Sequence, residues 1–183
     1  MLIARQLKKE NIVEYLLYMW QIEDLIRALN FDIEKINEKI IQSYDIAAEE
    51  KKEMYEWYES LIDMMLTEGV KESGHLQINK NVIIQLNDFH AEMLHSGIDP
   101  EYNGKFYRLL PYFQQLRQKQ NDSSISDIEL CFNFLYGIMT LHMKHAEISE
   151  ETRKIQEQIT YFLALLNKYY FKNQEEDLFN DGN

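Results

Sequence analysis

Among 31 acids and five histidines, the pair in Glu92-Met93-Leu94-His95 has the spacing of a carboxylate-bridged metal ligand set within a helix-forming stretch. Helical di-metal sites use two such Glu-x-x-His motifs and two further glutamates, all pointing inward. The match at Glu92 closes a helix beside Ser96-Gly97. A chance match is the plainer reading, and no metal or other cofactor is expected. His142 and His145 could present two imidazoles from adjacent turns. His142, however, shares its side with Cys131, Leu135 and Ile138, whereas His145 turns roughly 60° away. A histidine on an apolar face is ordinarily a neutral, hydrogen-bonded core group; a ligand site at His142 is the alternative. Cys131 reads as a small buried apolar residue.

Glu23, Asp24 and Arg27 are the more interesting polar group, because the segment that carries them, Asn11 to Asn30, is otherwise strongly apolar. Glu23 and Arg27 stand at i and i+4 in the orientation that favours an ion pair. A charge near a core must be paired, and such pairs mark a site or a contact that specifies the fold. With Trp20 one turn earlier they could floor a small-molecule cleft; the structural alternative is an ion pair where the helix edge meets solvent or a partner. The candidate ligand-binding residues are therefore Trp20, Glu23, Asp24, Arg27 and His142. No catalytic residue is identified: the sequence has no phosphate loop, dinucleotide glycine fingerprint, paired CxxC or nucleophile elbow.

Composition narrows the class. The 183 residues, 45% of them hydrophobic, suffice for one core. Six glycines and two prolines are too few for a β-sandwich or barrel. A formal net charge of −12 disfavours a nucleic-acid partner. The stretch from Tyr102 to Asn121 has no acid and carries Lys105, Arg108, Arg117 and Lys119. It reads as a helix beside an acidic neighbour in the fold or in a second subunit, with a phosphate-binding patch as the alternative. One cysteine excludes an internal disulfide framework. With too short an apolar N-terminus for a secretory signal, and no run approaching a membrane span, a cytoplasmic location is expected.

The elements that must position these residues are helices. In Asn11 to Asn30, Ile12, Tyr15, Met19, Ile22, Ile26 and Leu29 form a broad apolar stripe, and Val13, Leu17, Trp20 and Ala28 a narrower one. Two stripes predict neighbours on two sides, hence a central helix. Further helices are expected over Asp32 to Gln42, Ala47 to Glu68, Ile78 to His95, a stretch after Pro100, Ser124 or Ser126 to His145, and from Ser149 to about residue 173. A strand over Leu76 to Leu86 is rejected, for want of a partner and of alternation. Pro111 predicts a kink or break near Tyr107 to Leu110, and Gly137, mid-helix, a close helix crossing. The expectation is an all-α, single-domain bundle of six to seven helices over residues 1–173, with an acidic, disordered tail at 174–183.

Five stretches together resemble a bacterial family of small all-helical proteins described only as a domain of unknown function. They are LLYMWQIEDLIRA (16–28), GHLQINKNVIIQLNDFH (74–90), LLPY (109–112), CFNFLYGIM (131–139) and FLALLNKYY (162–170). The resemblance supports the helical architecture and carries no site. Apolar and aromatic richness without a catalytic constellation points to a non-catalytic interaction or scaffold module, with a protein partner or a second copy of the chain. The alternative is a small-molecule-binding protein or enzyme with a pocket near Trp20, Asp24 and Arg27.

Overall fold

The computed structural model describes residues 2–120 and 124–179. It is about 80% helical, with no strand among the described residues. The helices are α1 (Leu2–Glu10), α2 (Ile12–Ala28), α3 (Ile33–Lys39), α4 (Ala48–Thr67), α5 (Gln77–Ser96), α6 (Pro100–Gln120), α7 (Asp127–Met143) and α8 (Glu150–Glu176), with a 3-10 turn at Ile41–Ser43. The chain divides into two compact units, residues 1–82 and 83–183.

In the first unit α1 packs on α2, and α3 and the 3-10 turn pack on α4. Asn11 separates α1 from α2. Its N–H donates to the Leu7 carbonyl (2.7 Å) while its Oδ1 accepts the Glu14 N–H (3.1 Å), so one residue ends a helix and caps the next. Helix α1 was not expected from the sequence, because nine residues are too few for helical periodicity to stand out. Asn30 and Phe31 both take left-handed backbone (φ 57° and 61°), and Asp32 then caps α3 by accepting the Glu34 and Lys35 N–H groups.

Helix α2 is the most heavily buried element of this unit, with eight of its 17 residues inaccessible against five of 20 in α4. The pattern differs from the expected two stripes. Ile12, Tyr15, Leu16, Met19, Trp20, Ile22, Glu23 and Ile26 form one arc roughly 160° wide. On the other flank Val13 and Leu17 are half-buried and Ala28 is exposed. The carboxylate of Glu23 lies inside the buried arc, not at its edge.

In the second unit α6 and α7 both pack on α8 and on each other. Phe106, Phe113, Phe132, Phe162 and Tyr102 are buried at their contacts. Ser126 and Ser149 cap α7 and α8 by accepting the Glu129 and Thr152 N–H groups. Helix α6 runs through Pro111 without a break. Proline denies the Tyr107 carbonyl its helical partner, but both residues lie on the exposed side, where water can replace that bond. Helix α8 continues to Glu176, and Asn173 Oδ1 accepts the Leu178 N–H (2.7 Å). The remainder of the acidic tail, 180–183, lies outside the described residues, as does 121–123 of the polar connector.

Gly137 corrects another expectation. It is exposed, and a methyl group added there would meet nothing within 4 Å. No crossing among the described residues requires it, so only its helical cost remains. Gly137→Ala should therefore raise stability by roughly 0.5–1 kcal/mol in chemical denaturation. A loss of stability would show that something packs against that face.

Candidate functional site

Helix α5 begins without a side chain of its own to cap it: Leu76 precedes Gln77, and neither can accept a backbone N–H through its side chain in the manner of Ser, Thr, Asp or Asn. The N–H groups of Leu76, just before α5, and of Gln77, its first residue, are satisfied instead by two glutamates, Glu23 of α2 and Glu68, which follows α4. Glu23 Oε1 accepts the Leu76 N–H (3.0 Å), and Glu68 Oε2 accepts the Gln77 N–H (2.6 Å). A carboxylate at this end also suits the positive pole of the helix dipole.

Glu23 is fully inaccessible, so each lone pair it carries must find a donor or forfeit hydration. Besides Leu76, its Oε1 accepts from Asn79 Nδ2 (2.7 Å), and its Oε2 lies 2.6 Å from His75 Nδ1. A carboxylate can only accept, so the hydrogen of that contact belongs to Nδ1, which fixes the imidazole orientation. The imidazole stacks on Trp20, centroids 4.0 Å apart and planes 11° from parallel. It is 27% exposed, in contrast to the carboxylate that holds it.

Arg27 works one turn further along α2. Its guanidinium pairs with Asp24 (2.7 Å) and donates to the carbonyls of Val70 (3.0 Å) and Gly74. Those carbonyls are presented by a turn in which Gly69 and Gly74 have positive φ (71° and 87°), a conformation cheap only for glycine. The expected Glu23–Arg27 pair is replaced. Glu23 turns to the start of α5, and Arg27 to the turn before it, so two side chains of α2 hold one segment, 70–79, at two points.

The structure thus brings Trp20, Glu23, Asp24 and Arg27 together with the chain's own 70–79 segment. His142 belongs to the second unit. It is exposed in the last turn of α7, not the core histidine expected, because the buried face it continues ends at Ile138. Cys131 is buried, as its type implied, and burial raises its thiol well above the ordinary range. Glu92 and His95 are both exposed. Among the described residues no group of three or more His, Cys, Asp or Glu is placed to hold a metal ion. Of the acid-free stretch, Arg117 pairs with Asp127 at 2.5 Å and Lys105 lies over the Tyr161 ring, so two of its cations have partners within the fold.

Sequence reasoning missed His75 and Asn79. The available signal was the buried glutamate itself, which needs donors, and a His-x-x-x-Asn spacing that sets two donors one turn apart where an uncapped helix begins. Chemically the arrangement is an oriented carboxylate–imidazole pair beside an indole, with a guanidinium close by in sequence. Two surface depressions in the first unit, of about 380 and 550 Å³, are lined by residues of α3, α4 and the 3-10 turn, and Glu68, just after α4, borders the smaller one.

Removing the Glu23 carboxylate strands three donors at once. Glu23→Ala should cost roughly 3–5 kcal/mol in urea denaturation, and Glu23→Gln, which keeps one acceptor, roughly 1–3 kcal/mol. A change below about 0.5 kcal/mol in both would contradict this geometry.

No curated protein and no solved structure matches this chain. A family model, the domain of unknown function DUF4924, matches residues 1–177. The resemblance of the five stretches to a domain of unknown function and this near-complete match agree, and the chain belongs to the DUF4924 family.

Proposed function

We propose that this chain is a non-catalytic protein-interaction module acting in the cytoplasm. The observation that carries the reading is the set of large apolar side chains left in water on two mutually packed helices of the second unit. These are Tyr107 (57% exposed) and Leu110 on α6, and Leu141 and Met143 (60% exposed) on α7. Tyrosine and methionine are over-used where proteins meet, since they bring large contact area with adaptable or amphipathic shape. By contrast, the side chains best suited to chemistry are engaged in the fold: Glu23 by three donors, Arg27 by Asp24 and two carbonyls.

The partner is another protein or a second copy of the chain. Cross-linking in native extract, read by mass spectrometry, should join Lys105 or Lys144 to a second polypeptide. Tyr107→Glu with Met143→Glu should abolish that link while leaving the helical signal unchanged. A monomer by light scattering, with no link or with one that the double variant leaves intact, would sink the proposal.

A second reading, a small-molecule site at Trp20, Asp24, Arg27 and His75, is favoured by one feature. His75 is partly open to solvent while a buried carboxylate fixes its ring, the arrangement that orients a general base. Ligand-induced thermal shifts that vanish in His75→Asn would move the assignment to this class.

A further inference from the structure

The second unit holds a buried histidine that nothing above uses. His90, on α5, is 6% exposed and enclosed by aromatic rings. Phe106 of α6 meets it edge-on at 4.5 Å between centroids, and Phe162 of α8 does so at 5.6 Å. Its Nδ1 lies 2.7 Å from the Tyr102 hydroxyl, itself fully buried, and its Nε2 has no hydrogen-bond partner among the described residues.

A neutral imidazole fits this cage at modest cost. One nitrogen exchanges a hydrogen bond with Tyr102, and the other is an uncharged group among rings. Protonation changes both ends. Both nitrogens then donate, so Tyr102 must act purely as acceptor and turn its own hydrogen elsewhere, while Nε2–H⁺ finds only ring edges and faces. A full charge is thereby placed where hydration is excluded. The groups that face it from the packed elements offer little relief. Tyr102 and Phe106 on α6 and Phe162 on α8 surround the ring, Tyr169 of α8 and Cys131 of α7 act on Tyr102, and Asp127 of α7 has a field that favours the charged ring.

We propose that His90 is an acid-operated lock on the second unit: protonating its ring drives apart the stretches of α5, α6 and α8 that close on it. The direction follows from its basicity. Burial pushes the imidazole from 6.5 down to about 4, against a smaller upward pull from Asp127. Above pH 6.5 the ring is neutral in both folded and unfolded chains and contributes nothing. Between 6.5 and 4 the unfolded chain takes up the proton first, so the folded unit loses stability as pH falls. By pH 4 the unfolding equilibrium constant should have risen about a hundredfold from this group alone.

The test uses the full chain. Deuterium exchange at histidine C2, followed by mass spectrometry across pH 3.5 to 8, reads each histidine separately, and backbone exchange reads α6 and α8 under the same conditions. The lock requires His90 to titrate far below the other histidines, with α6 and α8 losing protection over that same interval. It also requires His90→Asn, which keeps an acceptor for Tyr102 and cannot take the proton, to flatten that loss. A His90 midpoint near 6.5 with protection intact would overturn it, as would an equal loss in the variant. If the variant does not fold, the wild-type titration decides alone.

Discussion

A carboxylate sealed from water is the constraint on which the first unit depends. Glu23 sits within the buried arc of α2, flanked by Met19, Trp20 and Ile26, where an unpaired charge would cost several kcal/mol. The chain answers with a segment rather than a single partner. A backbone N–H, an amide and an imidazole, all from residues 75–79, converge on its two oxygens. Satisfying that carboxylate therefore fixes where α5 starts and how the preceding turn lies on α2. Arg27 fastens the other end of the same turn through backbone carbonyls. An apolar residue in place of Glu23 could pack but could not specify this register.

Much of this architecture was legible in the sequence, since helices of 17 to 27 residues announce themselves by periodicity and by caps. Asn11, Asp32, Ser126 and Ser149 each stand at the start of the helix that their side chains cap. The candidate site was half legible. Trp20, Glu23, Asp24 and Arg27 share a helix, and their proximity follows from spacing alone. Their partners lie 43 to 56 residues further along, a separation about which local pattern says nothing. Periodicity also cannot tell where a neighbour ends. That is why His142 continues a buried face and still stands in water, and why Gly137 has no helix against it.

The two units handle polar groups in opposite ways. In the first, a charge is buried and three donors converge on its two oxygens, so the polar cluster directs packing. In the second, a neutral imidazole is tolerated inside an aromatic core because it carries no charge at neutral pH. The former arrangement depends on geometry, the latter on protonation state.

The sharpest test of the Glu23 account is a double-mutant cycle between Glu23→Ala and Asn79→Ala, with stability measured by urea denaturation. Two side chains bonded at 2.7 Å in a fully buried setting should show a coupling of about 1–3 kcal/mol. Additive effects, with a coupling near zero, would contradict the claim that this carboxylate holds the start of α5.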